Sequence, residues 1–173
     1  MNKQKYSKPK GHKRNSRKPE GKDDEFDQKL IDIARVTRVM AGGKRMSFRA
    51  CVVIGDREGK VGMGLRKGAD VAIAINKAVT AAKKQLIDVH TINDTIPERV
   101  VVKFKAAQVL LKPASKGTGV IAGGAVRSVL ELAGVKNVVS KMLGSKSKIN
   151  NVHATLKGLE ALRDVKQLKE LRK

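Results

Sequence analysis

Residues 43–64 read GKRMSFRACVVIGDREGKVGMG, and the alternation inside this stretch decides the fold. Met46, Phe48, Ala50, Val52 and Ile54 alternate with Arg45, Ser47 and Arg49. That is the period of a half-buried strand with one cationic face. Gly55-Asp56-Arg57-Glu58-Gly59 has the composition of a turn. Val61, Met63 and Leu65 then alternate with Gly62 and Gly64, giving the next strand. Its two glycines leave one face without side chains, so another backbone can approach closely there.

Working outward, residues 29–40 (KLIDIARVTRVM) form a β-rich segment with ragged alternation, joined to the quoted stretch through Gly42-Gly43-Lys44-Arg45. Downstream, Gly68 closes the glycine strand and Asp70 occupies a helix N-cap position. Val71, Ile75, Ala78, Ala82 and Leu86 make one apolar stripe at helical spacing, with Lys77, Lys83 and Lys84 off it. The first module is therefore β-β-β-α, one sheet covered by one helix. Residues 88–99 (DVHTINDTIPER) break the periodicity and read as a linker.

A second module follows. Val100, Val102 and Phe104 alternate with Lys103 and Lys105, and a further strand runs through Gln108–Lys112 to Pro113. Val126, Val129, Leu130 and Ala133 stripe a helix ended by Gly134. Val138 and Val139 open a strand towards Leu143, Ser145–Lys148 is a polar loop, and Val152, Leu156, Leu159 and Leu162 stripe a last helix. The order is β-β-α-β-α. The fold class is α+β, in two small domains at residues 25–90 and 100–165. A basic arm (1–24) precedes them, a linker (91–99) joins them, and a charged tail (166–173) follows.

Lys and Arg number 38 against 16 Asp and Glu, a net charge of +22. Such an excess points to a polyanionic partner. Nucleic acid is favoured over a membrane surface because no long basic amphipathic helix stands out. Residues 1–22 alone carry nine Lys/Arg and one acid, the composition of an arm that orders on phosphates. Cys51 is the single cysteine, so no disulfide framework exists and a reducing compartment is expected. No apolar run approaches membrane-spanning length and the start lacks a signal-peptide core, so a cytoplasmic protein is expected. Tyr6, Phe26, Phe48 and Phe104 are the only aromatic residues. With so few stacking platforms, recognition must rest on charge, backbone amides and shape, which suits folded or double-stranded RNA.

Catalytic chemistry finds little support. Gly62-Met63-Gly64 and Gly117-Thr118-Gly119 both reach their next glycine one residue too late for a dinucleotide fingerprint, and no P-loop pattern is present. His12, His90 and His153 are scattered, without Cys or carboxylates at metal spacing. Cys51 lies on a strand with no adjacent His and reads as packed rather than nucleophilic. No paired carboxylates suggest acid–base work. No cofactor, metal or small-molecule substrate is expected. Residues 117–125 (GTGVIAGGA) leave two readings open: amides that hold a phosphate oxygen of RNA, or a glycine turn of purely structural use. The loop at Gly42-Gly43-Lys44-Arg45, flanked by Arg38 and Arg49, is the better RNA candidate. Its glycines let the backbone approach a ribose-phosphate chain while the cations neutralise it.

The succession GKRMSFRACVVIGDREGKVGMG, then LLKPASKGTGVIAGGAVRSVLELAGVKNVVSKMLGS and INNVHATLKGLEALR, resembles the bacterial type of the small-subunit ribosomal protein S-five family, in family order. The resemblance implies a double-stranded-RNA-binding-like first domain. It also implies a second domain of the ribosomal protein S-five domain 2-like fold, with a left-handed β-α-β crossover. It implies a structural, non-enzymatic role in the small subunit that supports head–body arrangement and translational accuracy. Implied partners are small-subunit rRNA, ribosomal proteins S-four and S-eight, and mRNA where it enters the subunit. The rRNA-contacting residues implied are Arg38, Gly42, Gly43, Lys44, Arg45, Ser47, Arg49, Lys60, Arg66, Lys67, Lys116, Gly117, Thr118, Ser145 and Lys146. Gln108, Lys112, Ala114 and Ser115 would face S-four. The family's second fold also occurs in small-molecule kinases, and a free-standing double-stranded-RNA binder shares the first module's shape, but a shared fold is not a shared function. Met63 and Leu65 stand where the family often has aromatics, Lys148 where Pro is common, and His153 where Arg is common.

Overall fold

The computed structural model describes residues 26–162; the basic arm and the charged tail lie outside the described residues. Strands β1 (Asp27–Met40), β2 (Gly43–Gly55), β3 (Lys60–Gly68) and β4 (Leu86–Asp88) form an antiparallel sheet in that order. The ragged alternation of β1 has a local cause. The register with β2 slips between Leu30 and Asp32, so Ile31 sits in a bulge and the side-chain pattern shifts. Helix α1 (Val71–Ala82) starts where Asp70 accepts a hydrogen bond from the Val71 amide at 2.7 Å.

Helix α1 lies on the glycine face of β3. A Cβ at Gly64 would overlap the Ala78 carbonyl, and one at Gly62 would sit 2.8 Å from the Ala82 carbonyl oxygen. The small residues Ala74, Ala78 and Ala82 complete the close approach on the helix side. Leu86 departs from the sequence expectation: the helix ends at Ala82, and Leu86 belongs to β4, paired with Gly62. It still packs on Val52 and Ile54, which is why it fits the helical stripe.

The second sheet is mixed, with strand order β5-β6-β8-β7. Its strands are β5 (Val100–Phe104), β6 (Ala107–Pro113), β7 (Val120–Ile121) and β8 (Val138–Met142). The two residues of β7 are too short to show a period, and they run parallel to β8. Helix α2 (Gly124–Leu132) connects them, and α3 (Lys148–Glu160) packs against β5 and β6. Val126, Val129, Leu130 and Ala133 are all buried, and Gly134 ends the α2 turn at a φ of +81°.

The first sheet has its expected helix cover, and it has a second cover as well. Cys51, Val53, Val61 and Met63 of the first sheet share a core with Val109, Leu111, Val126, Val129 and Leu130 of the second domain. The first sheet is therefore covered on both faces, by α1 on one side and the second domain on the other. The domains meet closely. The Arg57 amide donates to the Leu132 carbonyl at 3.0 Å, and a Cβ at Gly55 or Gly134 would overlap backbone across this junction. Residues 91–99, expected as the linker, are held against the fold. Ile96 is fully buried, and the Asp94 carbonyl accepts from the Lys136 and Asn137 amides at 3.0 and 2.9 Å.

Candidate nucleic-acid interface

The β1–β2 register puts Arg38 opposite Arg45 and Ala34 opposite Arg49, and β3 places Lys67 beside Arg49. Opposed residues share a face, so Arg38, Arg45, Arg49 and Lys67 line one side of the sheet. Further along β2 the same face carries Cys51 and Val53, which enter the shared core. The face thus changes from cationic to apolar where the second domain begins to cover it.

At the cationic end a groove of about 780 Å³ opens between the strands and the start of α1. Arg38, Arg45, Arg49, Arg66, Lys67 and Lys77 line it together with Ser47, and among the described residues no carboxylate does. Six cations without a counter-charge make a surface for a polyanion. The hairpin tip stands beyond the groove. Gly42 and Gly43 adopt φ of +138° and +152° with nothing within 4 Å of a would-be Cβ, and Lys44 is exposed beside them. The tip is therefore open to close approach by a ligand backbone.

Of the residues expected to contact rRNA, Arg38, Arg45, Ser47, Arg49, Arg66 and Lys67 come together here, with Gly42, Gly43 and Lys44 at the adjoining tip. Lys60 does not. It stands at the far end of β3, in a recess it shares with Asp56 and Glu58, and its amide donates to Asp56 Oδ1 at 2.9 Å. Lys77 belongs to the groove, although sequence reasoning assigns it no role beyond lying off the apolar stripe. No local pattern marks it: the fold sets it beside Arg66 in the lining of the same hollow.

The remaining candidates sit on separate loops of the second domain. Lys116 is exposed, but the Gly117 and Gly119 amides both donate to Asn137 Oδ1, at 3.0 and 3.2 Å. Those amides are already engaged, which decides for structural use over a phosphate cradle at these two donors. Thr118 Oγ1 lies 3.2 Å from Ser115 Oγ. Ser145 is also tied into the fold: its amide donates to the Ala106 carbonyl at 2.8 Å, and its carbonyl accepts from Asn151 Nδ2 at 2.9 Å. Lys146 is exposed beside it.

On the second sheet Ala107, Val109 and Leu111 point into the core, so Gln108, Leu110 and Lys112 point out. Val101, 47% exposed, and Lys141 share that open face through their pairing with Leu110, and the chain leaves it through Ala114 and Ser115. At the other end of β5, the Phe104 ring is stacked on His153 with centroids 4.7 Å apart. Burial, then the charges of Lys105 and Lys157, hold the His153 imidazole below its ordinary pKa. Phe104 is thus already paired within the fold. Cys51 is buried, and its thiol is pushed up to about 11 by burial first and by Asp32 second, against a smaller pull from Arg49. It is no nucleophile at neutral pH.

Family models agree with this two-part architecture. "Ribosomal protein S5, N-terminal domain" matches residues 26–90, and "Ribosomal protein S5, C-terminal domain" matches residues 102–172. The chain is 47% identical to the small ribosomal subunit protein uS5 of Thermotoga maritima over 149 residues, covering 86% of this chain and 84% of the relative. It is 48% identical to that of Thermotoga neapolitana over the same shares. It is 51% identical to the small ribosomal subunit protein uS5c of Emiliania huxleyi over 140 residues, 80% of this chain and 88% of the relative. With both halves matched in order and nearly half the aligned residues identical, the chain belongs to the ribosomal protein S5 family, whose members are structural proteins of the ribosome rather than enzymes.

Proposed function

We propose that this chain, a structural protein of the small ribosomal subunit that binds rRNA and neighbouring ribosomal proteins, seats itself by phosphate neutralisation and shape matching. The observation that carries the mechanism is the groove with six Lys/Arg side chains and, among the described residues, no carboxylate. The hairpin tip Gly42-Gly43-Lys44 enters rRNA between head and body, and the Arg38–Arg45 pair anchors its base. The open face around Gln108 and Lys112, continuing to Ala114 and Ser115, meets ribosomal protein S-four. Its mix of apolar and Lys side chains fits a protein surface better than a duplex. S-eight is the second protein neighbour, and mRNA passes close by as it enters the subunit. Through these contacts the protein supports head–body placement and decoding accuracy in the cytoplasm.

Sedimentation of the tagged protein from gently lysed cells, before and after a high-salt wash, tests the placement. Co-migration with small subunits through the wash is expected. Release at moderate salt overturns the integral role. The Lys44→Ala, Arg45→Ala double variant tests the hairpin: assembly and decoding error should change while the melting temperature holds. Unchanged assembly and decoding would remove the tip from the mechanism.

A further inference from the structure

A second groove, of about 380 Å³, runs along the outer side of α1 between Arg66, Asn76, Lys77, Thr80 and Lys84. Again no carboxylate among the described residues lines it. Arg66 and Lys77 line both grooves. They mark the margin common to both, where the first groove turns from the Arg49–Lys67 face around the uncovered end of β3 to the α1 face that carries Arg66. From the Arg38–Arg45 pair to Lys84 the two grooves offer cations in succession, with no described residue of opposite sign in their lining.

Helix α1 explains why this side is free for a ligand. Its apolar side is spent on the glycine face of β3, with Ala74, Ala78 and Ala82 buried. The other side carries Asn76, Lys77 and Thr80, all exposed, and Lys84 continues it just past the helix end. Thr80 Oγ1 donates to the Asn76 carbonyl at 2.9 Å, which leaves the Asn76 side-chain amide and the two ammonium groups as the donors facing outward. Donors without acceptor charges fit phosphate oxygens. They do not fit an apolar peptide, and an acidic protein would need its carboxylates spaced along the whole wall.

We infer that the two grooves form one continuous track for the phosphate backbone of a single structured RNA, so that the rRNA footprint extends from the β1–β2 hairpin over Arg66 and Lys77 to Lys84 on the back of α1. The inference rests on the reading of the first groove as an RNA site and adds a second phosphate-binding region to it. One strand following the track replaces condensed counterions at successive phosphates, and a variant that no longer neutralises one phosphate should show a salt slope smaller by about 0.9.

The test uses the full chain and a labelled RNA duplex of about 16 base pairs, the length a double-stranded-RNA-binding domain covers. Anisotropy is followed across a series of KCl concentrations. Lys84→Gln touches only the second groove, and Arg38→Gln with Arg45→Gln touches only the first. One-to-one binding is expected. Lys84→Gln should lower the slope by about 0.9 and weaken affinity about eightfold at 0.1 M salt, the factor for one neutralised phosphate. Its thermal melt should match that of the parent chain, since Lys84 is exposed. If Lys84→Gln leaves slope and affinity unchanged while the arginine pair lowers both, the track ends at the first groove. The α1 groove then falls to a protein partner and the inference is overturned. Two duplexes per chain also overturn it, because the grooves are then separate sites. If neither variant changes binding, the RNA reading of the first groove fails as well.

Discussion

The two halves of β2 obey the same alternation and meet opposite fates. From Gly43 to Met46 every residue is exposed, and from Ala50 to Gly55 every residue is buried. One strand thus serves as probe at one end and as central core element at the other. The difference lies outside the strand. Around Val52 to Ile54, α1 covers one face and the second domain covers the other. Around Arg45 neither buries the strand, and the side chains there are cations that would be costly to bury. Local pattern sets which way each side chain points. What it points at is set by elements far away in the chain.

This contrast is broken most sharply at the glycines. Gly64→Ala places a methyl group against the Ala78 carbonyl, where neither backbone can yield. A loss of about 3 kcal/mol or more is expected from such overpacking, read by denaturant unfolding. Gly42→Ala, at the open end, meets nothing within 4 Å and strains only its own φ of +138°. Its cost should be about 1 kcal/mol. Near-equal losses for the two would show that α1 does not sit on the glycine face as described.

Asn137→Ala falls between them. Its carboxamide oxygen holds the Gly117 and Gly119 amides from a site only 7% exposed, so removing it leaves both donors without this partner. About 2 kcal/mol is expected, with faster amide exchange confined to residues 115–119. Uniform exchange across the domain would mean that Asn137 is ordinary core and not the holder of this loop. Smaller still is the stability effect of Arg45→Gln. An exposed, unburied cation should change stability by no more than about 0.5 kcal/mol. Its RNA affinity should nevertheless fall about eightfold at 0.1 M salt.

Much of this was legible in the sequence, and the parts that were not share one cause. The strand faces, the glycine approach, the Asp70 cap, the α2 stripe and the α3 stripe as far as Leu159 are local, and period and residue type carry them. Leu162, read into that stripe, lies past the end of α3 at Glu160 and is buried there all the same. The second covering of the first sheet depends on Val129 and Leu130, some seventy-five residues beyond Val53, and no period reaches over such a distance. β4 and β7 are too short for a pattern. At the candidate interface, charge and alternation named the β2 and β3 cations. Lys77 was hidden because an off-stripe lysine looks the same whether it faces water or a groove. The Gly117-Thr118-Gly119 amides looked available because Asn137, which engages two of them, lies eighteen residues further on than Gly119.

Cys51 gives the finest probe of where β2 turns from wet to dry, because it lies two residues from Arg49 on the same face. Burial dominates its thiol and raises the pKa to about 11, the Asp32 carboxylate adds to the rise, and Arg49 opposes it. The protonated thiol is thus the form that the fold holds. Its contribution to stability is complete below the ordinary thiol range, near pH 9, and is lost as pH climbs through about 11, because the unfolded chain ionises first. Two measurements follow. Alkylation of the native protein at about pH 8, just below the ordinary thiol range, should be far slower than that of the unfolded chain. Stability should decline between pH 9 and about 11 in the parent chain more than in Cys51→Ala, which has no thiol to ionise. Rapid native alkylation would move the boundary inward, placing Cys51 on the solvated, cationic half of the strand. The second domain would then cover less of the sheet than the shared core of Cys51, Val53 and Val129 requires.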